Sequence, residues 1–316
     1  MAKKPVKYYV VDAFTDSAFK GNPAAVCLLE EQDEKDNQWL QSVASEFNMP
    51  MTAYLTPIHG NSVPRFGVRY FTPSSTEVKL CGHATLAAAH ILFSSGLVDK
   101  NVIEFVTLSG LLTAKKIPPI DVTGAPNLQN GEAKDGFYIE LDFPADPIAE
   151  FNSSDTSLIS EALNGASIID IKRTEIADDI LVVVTSGKNV TEVQPQLDAI
   201  AKLPGRGVIV TGIAPLESGF DFYSRFFAPK YGINEDPVCG TAHCGLASYW
   251  SKKLGKCDLN AYQASARGGI LNLHVDEQKQ SVFFRGKAVI VMEGSEVVLH
   301  IHAIEKKNKN IDVLKG

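Results

Sequence analysis

The chain has 316 residues, 45% of them hydrophobic and 21% charged, a globular composition that excludes an extensively disordered protein. Its formal charge of −7, with no basic stripe, argues against a nucleic-acid or acidic-membrane partner. No apolar run approaches the roughly 20 residues that span a bilayer, and residues 1–12 enter a strand pattern instead of a signal-peptide hydrophobic region, so a soluble cytoplasmic protein with two domains or a duplicated fold is expected.

The first apolar runs, YYVVDAF (8–14), AAVCLL (24–29) and TAYL (52–55), read as strands. Before TAYL, QWLQSVASEFNMP (38–50) has helical spacing, with Trp39, Leu40, Val43, Ala44 and Phe47 in one stripe and Glu46 at its edge beside Trp39. KLCGHATLAAAHIL (79–92) begins with a thiol, a glycine and an imidazole, then continues as a helix apolar on every side over 83–93, which requires protein all round it. VTLSGLLTA (106–114) predicts a hairpin about Ser109-Gly110, and the Pro-, Gly- and Asn-rich stretch 116–136 reads as a linker. Strands FYIELDF (137–143), SIIDIKR (167–173) and ILVVVTS (180–186), a helical PQLDAIAKLPGRG (195–207) and strand GVIVTG (207–212) follow. A second thiol-led helix starts within DPVCGTAHCGLASYW (236–250). The final strands, AVIVMEG (288–294) and EVVLHIHAI (296–304), either close the second half or cross back to the first.

An internal repeat organises these elements. Residues 68–96 align with 224–255: each has Arg-aromatic-Phe-x-Pro (Arg69 to Pro73, Arg225 to Pro229), a loop with an acid, then Cys-Gly and an apolar helix closing near a glycine. Cys81 and Cys239 lie 158 residues apart, half the chain, and Leu40 and Val43 match Leu197 and Ile200 at an offset of 157. The predicted fold is α+β, with two pseudo-symmetric domains over residues 1–120 and 130–316, each a barrel-like sheet around a central helix, the last strand being free to join the first domain. A cleft between them is the expected small-ligand site.

Five cysteines cannot all pair, and a core this large needs no disulfide staples, so reduced thiols are expected. No metal site is expected: Cys239, His243 and Cys244 lack a fourth ligand, and His300 with His302 is one face of a strand. Cys27, Cys244 and Cys257 read as packing residues and His243 as structural. The repeated motif carries more chemistry. A helix N-terminus binds carboxylates through its unpaired N–H groups, Gly82 and Gly240 allow close approach, and a thiol placed there gains thiolate character. If both helix starts face one cleft, Cys81 and Cys239 flank one bound anion, as inversion of a carbon next to a carboxylate requires: one group removes the α-proton and the other supplies a proton from the opposite face. His83 and Asp236 flank the same helix starts and suit proton relay or capping. Glu46 faces Leu203 in the repeat, so desolvation would raise its pKa for acid/base work; a carboxylate merely reaching water is the equal alternative.

Together, VDAFTDSAFKGNPAAV, ASEFNMPMTAYL, FTPSSTEVKLCGHAT, NEDPVCGTAH, RGGILNLHV and FRGKAVIVMEG resemble the PhzF-like family, the phenazine-biosynthesis isomerases, which share a fold with diaminopimelate epimerase. The resemblance covers essentially the whole chain. It implies two epimerase-type domains, frequent homodimers and no cofactor. It also implies Glu46 as catalytic acid/base, His83 and Asp236 as its partners, and the Gly82 and Gly240 helix starts, with Thr241, near the substrate carboxylate. Asn22 and Arg267 fall in recurrent motifs near the site. One departure matters: PhzF-like proteins usually carry Thr where this chain has Cys239, whereas diaminopimelate epimerases carry a cysteine in both repeats. The expected function is a cofactor-independent isomerase moving a proton at a carbon next to a carboxylate, foremost an amino-acid racemase or epimerase using Cys81 and Cys239. The alternatives are a one-base isomerase in which Glu46 acts on a conjugated cyclic acid, and a binding or scaffolding protein without turnover.

Overall fold

A computed structural model describes residues 5–30, 36–74, 77–119, 136–151 and 156–296. The first half runs β1 (Val6–Ala13), β2 (Asn22–Leu28), α1 (Asn37–Phe47), β3 (Met51–Ile58), β4 (Arg65–Phe71), β5 (Glu77–Val78), α2 (Gly82–Ser94), β6 (Val102–Thr107), β7 (Gly110–Ile117) and β8 (Tyr138–Pro144). The second runs β9 (Ile148–Glu150), α3 (Thr156–Ala162), β10 (Ile168–Thr174), β11 (Ile180–Val184), α4 (Gly187–Glu192), α5 (Leu197–Ile200), β12 (Val208–Ile213), β13 (Phe222–Ala228), β14 (Ile233–Asp236), α6 (Gly240–Leu254), β15 (Asp258–Gln263), β16 (Gly269–Asp276), β17 (Ser281–Gly286) and β18 (Ala288–Glu296). No helix among the described residues is long and apolar enough to cross a membrane.

Strand pairing makes the duplication explicit. The order β18-β1-β2-β3-β4-β6-β7-β8 recurs as β9-β10-β11-β12-β13-β15-β16-β17. Polarity recurs as well: β2–β3 and β4–β6 are parallel, as are β11–β12 and β13–β15, while the other neighbours in each series are antiparallel. The two series meet where β8 pairs antiparallel with β17.

One expectation about the halves changes, and the open choice for the last strand is resolved. β8, placed in the second domain by the 1–120 and 130–316 division, stands in the first series opposite β17, so the repeat turns over between β8 and β9. β18 crosses back, with Val10 of β1 opposite Met292. The remainder of EVVLHIHAI and residues 120–135 of the linker stretch lie outside the described residues.

Each central helix is enclosed as its composition demands. In α2 every residue except His90 and Ser94 is buried; α6 is buried from Ala242 to Ser251 and stops at Gly255, whose φ of 66° suits the left-handed C-cap. Strands between two layers are apolar on both faces: in β11, Leu181 and Val183 join the core around the central helices, while Ile180, Val182 and Val184 join an outer core under the short helices. In the first half that outer layer is α1, whose Trp39, Leu40, Val43 and Ala44 pack with Cys27 and Tyr54. Its start is capped by Asp36, whose carboxylate accepts from the Trp39 N–H at 2.7 Å. The expected counterpart of α1 shrinks to α5, just before Pro204 and Gly205, and α3 and α4 supply the rest of the cover. Cys27 and Cys244 are buried, but Cys257, expected to be a packing residue, is exposed.

The acid foreseen in each repeat loop closes a matched pair. Arg69 meets Glu77 with both Nε and Nη2 at 2.7 Å, and Arg225 meets Glu235 at 2.7 and 2.9 Å. Each guanidinium also lies over an aromatic ring, Phe71 or Phe227, about 5 Å from its centroid. These clamps pin β5 to β4 and β14 to β13, just upstream of the two cysteines. Arg225 is the less exposed, 13% against 36%, so Arg225→Ala is expected to cost about 2–3 kcal/mol and Arg69→Ala about 1 kcal/mol, checked by urea unfolding.

Candidate active site

The duplicated architecture brings the starts of α2 and α6 face to face. A methyl group added to Gly82 would lie 3.4 Å from the Gly240 Cα, and one added to Gly240 would lie 3.4 Å from the Gly82 Cα. The two glycines therefore let the N-termini meet at van der Waals distance. Beside this contact opens a cleft of about 560 Å³, within the ~300–1,000 Å³ usual for small-ligand sites. Cys81, Gly82, His83, Asp236, Cys239, Gly240 and Thr241 all line it.

Cys81 and Cys239 are the N-cap residues of α2 and α6, both with extended backbone, and neither thiol caps its own helix. Each leans instead on the residue two further on. Cys81 Sγ lies 3.4 Å from His83 Nδ1, and Cys239 Sγ lies 3.3 Å from Thr241 Oγ1. The expectation that helix N-termini favour both thiolates is reversed: burial pushes Cys81 up and Cys239 up to about 12, and the nearby helix amides do not offset it. Both are thiols at neutral pH.

A hydrogen-bond bridge joins the halves behind them. Asn22 donates its amide to Asp236 Oδ1 at 2.6 Å and to the Val238 carbonyl at 2.9 Å, and lies 3.2 Å from His83 Nδ1. The two oxygens only accept, which fixes the amide's orientation and takes both of its hydrogens, so His83 Nδ1 receives none from Asn22 and is left to accept from the Cys81 S–H. Burial lowers His83 to about 3, so the imidazole is neutral, and burial raises the Asp236 carboxyl above its ordinary value. His243 is structural: its Nδ1 donates to the Cys239 carbonyl at 2.7 Å beneath α6, and burial lowers it to about 4.

These two histidines set an acid limit on stability. Unfolded, each takes a proton near pH 6.5; folded, each resists to about 3 or 4. Stability is therefore lost as pH falls below 6.5, by about 1.4 kcal/mol per pH unit for each, down to about 4 for His243 and about 3 for His83. Urea midpoints at pH 7 and 5 measure it, and His243→Asn flattens part of the slope.

Three sequence-assigned residues lie elsewhere than expected. Glu46 is exposed and borders a separate shallow depression with Tyr8, Val43, Phe47 and Ser295. The stripe on α1 packs against the outside of the sheet, so the stripe's edge faces solvent and not the cleft between the halves. The roles given to Glu46, as desolvated base or as family acid/base, are corrected accordingly. Asn22 is a bridge behind the cleft and does not line it. Arg267 does not line it either: it bonds Asp12 Oδ1 at 2.7 Å, the Gly21 carbonyl at 2.8 Å and the Lys20 carbonyl at 3.0 Å. It thereby fastens the 14–21 loop that delivers Asn22, a loop closed at Gly21 (φ +63°), where any Cβ would strike the Ala13 carbonyl at 2.1 Å.

One cleft residue escaped sequence analysis. Arg206, in the turn before β12, lines the cleft and pairs bidentately with the fully buried Asp179; its Nε meets Oδ1 at 2.8 Å and its Nη2 meets Oδ2. Arg206 Nη1 donates to Thr241 Oγ1 at 3.0 Å, which leaves the Thr241 hydroxyl hydrogen for Cys239 Sγ. Burial works to lower Arg206, but the Asp179 pair outweighs it, and the guanidinium stays charged. No periodicity marks PGRG; only the third dimension joins it to Asp179 and Thr241.

Comparison with known proteins agrees with this architecture. Residues 11–294 match the family described as phenazine biosynthesis-like protein, PhzC-PhzF. An uncharacterised isomerase of Halalkalibacterium halodurans is 41% identical over 292 residues, 92% of this chain and 98% of that one. The phenazine biosynthesis-like domain-containing protein of Homo sapiens is 38% identical over 302 residues, 91% of this chain and 97% of that one. The crystal structure of a PhzF-family protein from Enterococcus faecalis superposes with a TM-score of 0.78 at 34% identity, covering 93% of this chain and all of that one.

Proposed function

Because this chain belongs to the phenazine biosynthesis-like family of isomerases, we propose that it is a cofactor-independent amino-acid racemase or epimerase in which Cys81 and Cys239 form the acid/base pair. The observation that carries the reading is that two thiols, each heading one of two abutting helices, line one cleft, while Glu46 lies outside it. The substrate carboxylate sits at the facing helix N-termini, where N–H groups and helix dipoles favour an anion. One cysteine, as thiolate, takes the α-proton and becomes a thiol as the C–H electron pair moves into the carboxylate. The other thiol gives its proton to the opposite face of that carbon and becomes the thiolate, so the pair emerges with its protonation exchanged. Asp236 faces the substrate ammonium, and His83 accepts from the Cys81 thiol at rest.

The test is α-deuteration of L- and D-amino acids in heavy water, read by loss of the α-proton NMR signal. Exchange together with inversion supports the reading. Glu46→Gln is expected to leave the rate within about twofold, since an exposed group away from the cleft supplies no general-base assistance; loss of turnover in that variant with retention in the cysteine variants would favour a one-base isomerase instead.

A further inference from the structure

The cleft's walls bear on which amino acid it accepts, a question that rests on the racemase reading. Away from the thiols the lining is mostly apolar, with Met51, Val78 and Leu80 on one side and Phe226, Ala228 and Ile233 on the other; its polar members there, Asn48, Thr72, Ser74 and Tyr231, carry no charge. The charged groups lining it among the described residues are already engaged within the protein. Arg206 is held by Asp179, and Glu235 by both arms of Arg225. Asp236 accepts from Asn22 and is the carboxylate left for a substrate ammonium.

We infer that the substrate is an α-amino acid with an uncharged, apolar side chain. A side-chain carboxylate or ammonium entering this space would lose its hydration without meeting an unengaged counter-charge, a penalty that only pairing relieves. An aliphatic, thioether or aromatic side chain meets like surface. Arg206 does not serve as a side-chain anchor for acidic substrates, because turning toward a ligand carboxylate would strip the buried Asp179 of its partner. Apart from Met51 at the start of β3, the apolar wall is built from the segments that lead into the two cysteines, β5 and its continuation to Cys81 and the β13–β14 hairpin before Cys239. Substrate side chain and α-carbon are therefore positioned by the same two stretches of chain.

The test uses the wild-type protein and two readouts. α-Deuteration is followed for leucine, methionine and phenylalanine against aspartate, glutamate, lysine and arginine, each as both enantiomers. Binding of the same compounds as racemates, in which no net reaction occurs, is followed by titration calorimetry. The apolar group is expected to exchange at least about 100-fold faster in kcat/KM than the charged group and to bind where the charged group does not. Binding of apolar amino acids without exchange would refute the two-thiol reading and leave the specificity standing. Exchange or binding of a charged amino acid as good as that of leucine, or no binding of any apolar one, overturns the specificity.

Discussion

Cys81→Ser and Cys239→Ser are each expected to lower inversion of the substrate by about 10²–10⁴-fold, the usual worth of a positioned general acid or base. A serine hydroxyl in place of either thiol is too weakly acidic to ionise where burial already holds the thiols up, and a helix N-terminus does not compensate. The two losses differ in stereochemistry. The variant lacking the base for one enantiomer fails to start from it, while the remaining thiol still removes the α-proton of the other, so solvent exchange without inversion survives from one side. Running each variant against L- and D-substrate separately distinguishes this from general damage: mirror-image patterns are expected, and unchanged rates in both variants would refute the mechanism. Because both cysteines rest as thiols, with Cys239 near 12, the thiolate needed for proton removal is a minor species at neutral pH and grows as pH rises. Exchange by the wild type should therefore increase with pH above 7, a profile that an ionised carboxylate base would not give.

Much of this arrangement is legible in one sequence because a duplicated fold repeats its spacing. The 158-residue interval between Cys81 and Cys239 places both at N-caps of enclosed helices, and the acids noticed in the repeat loops, Glu77 and Glu235, prove to be the partners of Arg69 and Arg225. Periodicity was less informative where an element has two neighbours to choose between. The stripe on α1 identifies which face is buried and, being one-sided where α2 is apolar all round, marks a helix outside the sheet; it does not tell whether the stripe's edge meets the cleft or water, and the packing places Glu46 in water. β8 and β18 were ambiguous for a related reason: an apolar strand carries no record of which half it pairs with. Arg206 left no trace at all, since its partners Asp179 and Thr241 come from the β10–β11 connection and the start of α6.

Arg206→Met is expected to destabilise the fold by about 3–5 kcal/mol, because it leaves the Asp179 carboxylate, which has no exposed surface, without the guanidinium that counters its desolvation. Adding Asp179→Leu should recover most of that loss, since an apolar pair of similar bulk needs neither charge nor hydration. Catalysis should respond differently. In both the single and the double variant Cys239 loses the nearby guanidinium charge and Thr241 loses the donor that orients its hydroxyl toward Cys239, so that thiol becomes harder to ionise and the rise of exchange with pH shifts to higher values. Urea unfolding of the four-member cycle, paired with pH profiles of exchange, separates the two effects. If stability and pH profile return together in the double variant, Arg206 is only a structural counter-ion. If stability returns while the profile stays shifted, Arg206 favours the Cys239 thiolate by its charge and through Thr241, and the two thiols, one backed by an imidazole and the other by a hydroxyl tied to a cation, are inequivalent by construction.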